Sequence, residues 1–147
     1  MLFASEGSLV VVSGRTVDAG MKVAKDIRDK GGQATFVKAD ITVAQEVKQL
    51  VDKTVDTYGK LDVLFNNAGL VTLDKVADES EESWQRCMDV NLKGVFLGIK
   101  YAVPHMINNG GGSIINNSSL FGIAASHRGG GSYAASKAGV LMLTKKA

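Results

Sequence analysis

The stretch "SLVVVSGRTVDAGMKVAKDIRDKGGQATFVKAD", residues 8–40, carries the pattern that decides the fold. Residues 8–14 are a short apolar, β-branched run that ends in glycine, which predicts a buried strand. Residues 17–30 predict a helix that stops at two glycines, and residues 34–40 predict a second strand. The apolar face of this helix would carry Val17, Met21, Ala24 and Ile27. A strand, a helix and a strand in this order are typical of a parallel βαβ unit.

The same alternation continues to the end of the chain. Strands are predicted at 61–67 and 113–119, a long helix at 80–108 and a last helix from 132. One helix between the second and third strands would have a face made of Val43, Val47, Leu50, Val51 and Val55, and the apolar stripe of the long helix would include Trp84, Met88, Val95 and Ala102. Because the strands are apolar on both faces, we predict an α/β fold with a doubly wound parallel sheet.

Composition sets limits on the class of protein. The chain has 147 residues, 45% of them hydrophobic and 22% charged, which is typical of a globular domain with a real core. Its net charge of +2 does not favour a nucleic-acid partner or a membrane surface, and we predict neither, and no metal site. Cys87 is the only cysteine, so no internal disulfide can form, which favours a cytoplasmic protein with Cys87 in its core.

Short groups of residues, most of them polar or glycine, lie at the carboxyl ends of the predicted strands. They are Ser13, Gly14 and Arg15, then Asp40 and Ile41, then Asn67, Ala68 and Gly69, and finally Ser118 and Ser119. Ligands of parallel sheets bind at that edge, where the order of the strands reverses. Each group taken alone also has a plain structural explanation, because such residues favour turns and helix caps.

A tyrosine and a lysine lie four positions apart in the last predicted helix. Tyr133 and Lys137 would therefore share one helix face. A neighbouring positive charge favours the charged form of a phenol, so the pair is a candidate general acid/base. The alternative is a surface tyrosine beside a solvated lysine, and the two residues alone do not decide between these interpretations.

Four motifs resemble the classical short-chain dehydrogenase/reductase family. They are "NNAG" at 66–69, "VNLKGVF" at 90–96, "GSIINNSS" at 112–119 and "YAASK" at 133–137, and they occur in the family's order over essentially the whole chain. The resemblance implies a Rossmann-like fold. It also implies an NAD(P)-dependent oxidoreductase that acts on a secondary alcohol or a ketone, a small-molecule substrate.

The resemblance also assigns catalytic roles. Tyr133 would exchange the proton with the substrate oxygen, and Lys137 would support it and bind the nicotinamide ribose. Ser119, rather than its neighbour Ser118, would orient the same oxygen. Asn91 would hold a water molecule in a proton relay.

The cofactor residues are implied in the same way. Asn67, Ala68 and Gly69 match the turn that passes under the nicotinamide ribose, and glycine lets the backbone approach closely. Asp40 matches the acid that contacts the adenine amino group, and Ile41 would pack beside the ring.

The end of the first predicted strand distinguishes the two nicotinamide cofactors. An acid there would bind the ribose 2′-hydroxyl and repel a 2′-phosphate. Here Ser13 and Gly14 precede Arg15, and the next acid is Asp18. Because an arginine suits a phosphate dianion, we predict NADP, with NAD as the alternative. Arg15 would otherwise be a solvated loop residue.

The chain departs from the family in two places. It has no Thr-Gly-x-x-x-Gly-x-Gly motif, whose helix N-terminus receives the pyrophosphate, and the family continues beyond Tyr-x-x-x-Lys. We therefore expect an interior fragment of an enzyme, an incomplete Rossmann-like domain over residues 1–147. The segment between Ser119 and Tyr133 is about one residue longer than usual in the family, and we expect His127 and Arg128 to be loop residues.

Two functions remain open from the sequence. The first is a working oxidoreductase, for which the family favours a homo-oligomer. The second is a truncated, inactive relative or a binding module that docks onto a full-length relative. A flavodoxin-like or response-regulator domain would leave the residues at the strand ends unexplained.

Overall fold

A computed structural model describes residues 1–124 and 129–147, so His127 and Arg128 lie outside the described residues. The elements are α1 (Leu2–Ser5), β1 (Leu9–Gly14), α2 (Val17–Asp29), β2 (Gln33–Lys38), α3 (Ala44–Tyr58), β3 (Val63–Asn66), α4 (Glu81–Met88), a π-helical turn (Asp89–Lys93), α5 (Gly94–Asn108), β4 (Ser113–Asn116), a 3₁₀ turn (Leu120–Gly122) and α6 (Gly131–Thr144). The predicted alternation of strands and helices is confirmed.

The strands form two parallel pairs. In the first pair Leu9 of β1 lies opposite Gln33 of β2, and in the second Val63 of β3 lies opposite Ser113 of β4. Within residues 1–124 and 129–147 the two pairs are separate sheets, and no further strand joins them. The parallel α/β fold is therefore confirmed, and its sheet is incomplete.

Each sheet has a hydrophobic core of its own. Beside the first, Ala24 and Ile27 of α2 pack with Ala34 of β2. Beside the second, Val95 of α5 packs with Val140 of α6. Helix α3 lies against α5 and so connects the two halves. The polar ends of all four strands depend on this packing for their relative positions.

The predicted apolar faces are only partly covered. In α2, Ala24 and Ile27 are buried, but Val17 is 40% exposed and Met21 is 56% exposed. Trp84 of α4 is also 41% exposed. A place on a predicted apolar stripe therefore does not by itself bury a side chain, and a sheet of two strands covers only part of the stripe of α2.

The helix predicted over 80–108 is interrupted. Between α4 and α5 the chain makes a π-helical turn at Asp89–Lys93. Such a turn adds one residue to the helical repeat and is frequent at functional sites. Its one buried residue is Asn91.

The outer surfaces of α2 and α3 carry ion pairs one helical turn apart. Lys22 contacts Asp26 at 2.7 Å, and Lys48 contacts Asp52 at 2.6 Å, on exposed helix faces. In the two described ranges, no helix has both the length and the hydropathy that crossing a membrane requires.

Candidate active site

The ends of β1 and β2 bring two predicted residues together. Asp40 lies just beyond β2, and its Oδ2 is 3.9 Å from the Arg15 guanidinium. Its Oδ1 accepts hydrogen bonds from the backbone N–H of Thr42 at 2.9 Å and from the Thr42 hydroxyl at 2.7 Å. These bonds, with a smaller contribution from Arg15, hold the pKa of the Asp40 carboxyl below its ordinary value. Asp40 is therefore an anionic acceptor at neutral pH.

An open cleft of about 400 Å³ lies beside these residues. Its lining consists of Arg15, Asp40, Thr42, Glu82, Gln85, Arg86, Asp89 and Val90. The lining has two guanidinium groups and three carboxylates, so its charge is mixed. The sequence interpretation missed the contribution of α4 and the π-helical turn. Of the residues that α4 and this turn contribute to the lining, only Val90 had a signal in the sequence, because it begins the "VNL" segment.

The other residues predicted here also lie at this edge. Ser13 is exposed near the end of β1, and Gly14 is opposite Lys38 in the strand pairing. Ile41 packs on the start of α5, where a Cβ at Gly94 would overlap with its side chain. We call the residues Ser13, Gly14, Arg15, Asp40 and Ile41 the first-sheet group.

Asparagine pairs join the ends of β3 and β4. Asn66 donates to the Asn116 side chain at 2.8 Å, and Asn117 donates to the Asn67 side chain at 3.0 Å. These bonds hold the two strand ends in register. The turn that follows β3 is exposed along Asn67, Ala68 and Gly69, so a ligand can approach its backbone.

Asn91 is fully buried and connects this turn to two helices. Its Oδ1 accepts from the backbone N–H of Leu70 at 2.8 Å, and its Nδ2 donates to the backbone oxygen of Leu70 at 2.9 Å. Nδ2 also lies 3.1 Å from the Ser136 hydroxyl of α6 and 3.4 Å from the sulfur of Cys87. Cys87 is buried as predicted. The side chain of Asn91 therefore holds the backbone of Leu70 in place, next to the turn at Asn67, Ala68 and Gly69.

Lys137 is buried against the same turn. Its side chain is part of a residue only 5% exposed, and Nζ donates to the backbone oxygen of Asn117 at 2.7 Å. Nζ lies 5.8 Å from the centre of the Tyr133 ring. A Cβ built on Gly69 would be 3.6 Å from Nζ. The predicted sharing of one helix face by Tyr133 and Lys137 is confirmed as geometry.

The two serines after β4 have different partners. Ser118 donates its hydroxyl to the backbone oxygen of Lys137 at 2.9 Å. Ser119 caps the 3₁₀ turn, and its oxygen accepts from the backbone N–H of Phe121 at 3.2 Å. The Phe121 ring meets the Tyr133 ring edge to face, 6.1 Å between centres. Ser118 is therefore engaged with α6, whereas within residues 1–124 and 129–147 the Ser119 hydroxyl has no hydrogen-bond acceptor.

The structure thus places the remaining predicted residues in a second group. We call Asn67, Ala68, Gly69, Asn91, Ser119, Tyr133 and Lys137 the second-sheet group. It combines a phenol, a buried ammonium, a hydroxyl and an exposed backbone turn. Such a set can bind an oxygen atom, move one proton and seat a flat ligand on the turn.

Comparison with known proteins gives a consistent result. The profile of the family described as short chain dehydrogenase matches residues 1–147. An uncharacterized oxidoreductase of Thermotoga maritima is 41% identical over 99% of this chain and 57% of its own length. A cyclohexanol dehydrogenase of Acinetobacter sp. is 38% identical over all of this chain and 59% of its own length.

A solved structure agrees with these relatives. The crystal structure of a short-chain type dehydrogenase/reductase from Mycobacterium marinum has a TM-score of 0.94 and is 34% identical, covering 98% of this chain and 59% of that one. The chain thus spans somewhat more than half the length of the relatives it matches. The motifs, the parallel α/β fold and the match over residues 1–147 together show that the chain belongs to the short-chain dehydrogenase family.

Proposed function

We propose that the full-length protein is an NAD(P)-dependent oxidoreductase that acts on a secondary alcohol or a ketone. The observation that carries this proposal is the placement of the Lys137 ammonium 5.8 Å from the centre of the Tyr133 ring, beside the turn at Gly69. The similarity to a cyclohexanol dehydrogenase supports the substrate class, because cyclohexanol is a secondary alcohol.

The residues fit a dinucleotide. The first-sheet group offers Asp40 as an anionic acceptor for the adenine amino group and Ile41 as an apolar surface beside it. The second-sheet group offers the exposed turn and the buried ammonium of Lys137 for the nicotinamide ribose. A Cβ at Gly69 would approach Asn91 Oδ1 to 3.3 Å, so glycine keeps the turn close to Asn91.

Arg15 supports NADP as the preferred cofactor. Its side chain is 67% exposed, and its contact with Asp40 is long, at 3.9 Å. The guanidinium can therefore still bind a 2′-phosphate. The three carboxylates of the same cleft oppose a dianion and keep NAD as the alternative.

The chemistry follows from the second-sheet group. When bound, the nicotinamide supplies the hydride for ketone reduction or accepts it in alcohol oxidation. In reduction, Tyr133 gives its phenolic proton to the carbonyl oxygen as the carbon gains the hydride, and the phenolate forms next to the Lys137 ammonium. Ser119 donates a hydrogen bond to the same oxygen. Asn91 holds the turn, and any water of a relay would bind beside a side chain that is already engaged with Leu70.

Partners and location follow as further proposals. An apolar groove formed by the π-helical turn, α5, α6 and the residue Lys146 just after it supports a homo-oligomer; its lining consists of Leu92, Phe96, Gly139, Met142, Leu143 and Lys146. The buried free thiol of Cys87 is compatible with a cytoplasmic protein.

The test of this proposal removes the phenolic hydroxyl of Tyr133. Tyr133→Phe in the full-length protein is expected to lower turnover of ketones with NADPH by about 10²–10⁴-fold, the usual contribution of a positioned acid. Tyr58→Phe, at the end of α3, is the matched control. Calorimetric binding of NADP should be nearly unchanged in both variants. A Tyr133→Phe variant that keeps more than about a tenth of the wild-type rate would contradict the assignment.

A further inference from the structure

Helix α6 begins without a side-chain cap of its own. Gly130 occupies the capping position with a φ of 83°, and glycine has no side chain to accept a first-turn N–H group. Ser132, the second residue of the helix, is fully buried. Its N–H and its hydroxyl therefore need partners inside the protein. Tyr133 follows it directly.

The cap comes from Glu79, which is 53 positions earlier in the chain. Glu79 Oε2 accepts from the backbone N–H of Ser132 at 3.2 Å, and Oε1 accepts from the Ser132 hydroxyl. A carboxylate only accepts, so the one hydroxyl proton of Ser132 is directed at Glu79. Thr72, whose Oγ1 is 2.8 Å from Ser132 Oγ, must then donate to that oxygen. The three side chains form one directed chain of hydrogen bonds.

Backbone contacts reinforce this link. The N–H of Gly130 donates to the backbone oxygen of Asp74 at 2.9 Å. A Cβ at Gly130 would be 2.9 Å from the backbone oxygen of Thr72. The segment 70–79 therefore packs closely against the start of α6. The same segment begins at the residue whose backbone Asn91 holds.

We propose that Glu79 is a positioning residue for Tyr133, an inference that rests on the proposed function only for its kinetic consequence. The first turn of a helix frays when its N–H groups lack acceptors, and a carboxylate there also interacts favourably with the helix dipole. By holding the backbone of Ser132, Glu79 fixes the next residue, and with it the place of the phenol relative to Lys137.

Two substitutions separate charge from geometry. Glu79→Gln can keep the network, because its amide oxygen accepts from the Ser132 N–H and its NH₂ group donates to the Ser132 oxygen. The Ser132 hydroxyl then turns round and donates to Thr72. Glu79→Ala removes both acceptors. Glu81→Ala, the same change at an exposed residue of α4, is the matched control.

The experiment uses the full-length protein with ¹³Cζ-labelled tyrosine and two readouts. The Tyr133 signal is assigned by its loss in Tyr133→Phe, and those of Tyr58 and Tyr101 by the corresponding substitutions. In Glu79→Ala we expect this signal to broaden or split while those of Tyr58 and Tyr101 stay unchanged. We also expect kcat to fall about ten- to a hundredfold, with the KM for cofactor unchanged, since small misplacements of a reacting group have costs of this size. Glu79→Gln should behave like wild type in both readouts.

The outcomes distinguish the two proposals. If the wild-type protein shows no turnover, the proposed function is contradicted. The Tyr133 signal alone then decides whether Glu79 positions Tyr133. An unchanged Tyr133 signal in Glu79→Ala, or a loss in Glu79→Gln equal to that in Glu79→Ala, would overturn the positioning role. If Glu79→Ala does not fold, Glu79→Asp decides, because it keeps the charge but is one methylene shorter, so its carboxylate no longer reaches the Ser132 N–H that Glu79 contacts at 3.2 Å; a sharp, unshifted Tyr133 signal there would refute the proposal.

Discussion

The side-chain amide of Asn91 and the backbone of Leu70 are joined by two reciprocal hydrogen bonds of 2.8 and 2.9 Å. Asn91 belongs to the π-helical turn, and Leu70 directly follows the exposed turn at Gly69. A third bond from the same amide reaches Ser136 on α6, the helix that carries Tyr133. One buried amide therefore sets the distance between the proposed nicotinamide turn and the proposed acid.

We expect Asn91→Asp to destabilise the full-length protein by about 1–3 kcal/mol, although the side chain keeps its size. The carboxylate still accepts from Leu70 N–H, but it cannot donate to Leu70 O or Ser136, and it becomes a buried charge. Urea unfolding measures the change. Asn108→Ala, at the exposed end of α5, is the control and should be nearly neutral. Equal stability of Asn91→Asp and wild type would show that these bonds contribute little.

Arg15→Ala should reduce the preference for NADP over NAD by roughly ten- to a hundredfold. A charged hydrogen bond of this kind is worth about 1.5–3 kcal/mol. The measurement compares kcat/KM for the two cofactors in wild type and variant. Lys30→Ala is the control, because it also removes one positive charge but lies near the opposite ends of the strands. It should leave the ratio of the two kcat/KM values unchanged. A wild-type preference for NAD would refute the role given to Arg15.

Gly122→Ala should lower kcat while cofactor binding is nearly unchanged. A Cβ at Gly122 would be 2.9 Å from the backbone oxygen of Lys137, so the 3₁₀ turn must shift away from α6. Ser119, which caps that turn, would shift with it. Leu120→Ala in the same turn is the control, because Leu120 is 71% exposed and has no such neighbour to displace. Identical kcat values for the two variants would contradict the prediction.

Residues 1–147 expressed alone should self-associate. In the described residues β1 and β3 are each paired along one side, and Val63 and Phe65 of β3 are 42% and 48% exposed. Unpaired parallel edges with apolar side chains invite pairing with other chains. Light scattering after gel filtration tests this. A monodisperse monomer with a cooperative thermal transition would show that the open edges are tolerated.

The sequence predicts the elements well because each has a strong local signal. β-branched runs mark β1 and β2, and the glycine after Tyr58 ends α3 in the left-handed conformation. The residues at the strand ends also fall where the parallel topology places them, in the first-sheet and second-sheet groups. The family resemblance named the members of both groups, and the structure brings them to the carboxyl ends of the strands.

Three features could not be predicted from the sequence. The π-helical turn lies inside a stretch whose apolar spacing predicts one continuous helix. The cap of α6 depends on Glu79, and no local pattern pairs it with Ser132, 53 positions away. The exposure of Trp84 depends on which elements pack against α4, here α6 and the π-helical turn, and a helical period does not reveal this.

The separation of the strands into two pairs has a consequence for the order of folding. Leu9 pairs with Gln33 across one short helix, whereas Asn66 and Asn116 meet across 50 positions. Closing the longer loop has the larger entropic cost, so the first pair should form earlier on the folding pathway. Because each pair also has its own core, amide protons of β2 and β4 should exchange with solvent deuterium through separate opening events with different free energies.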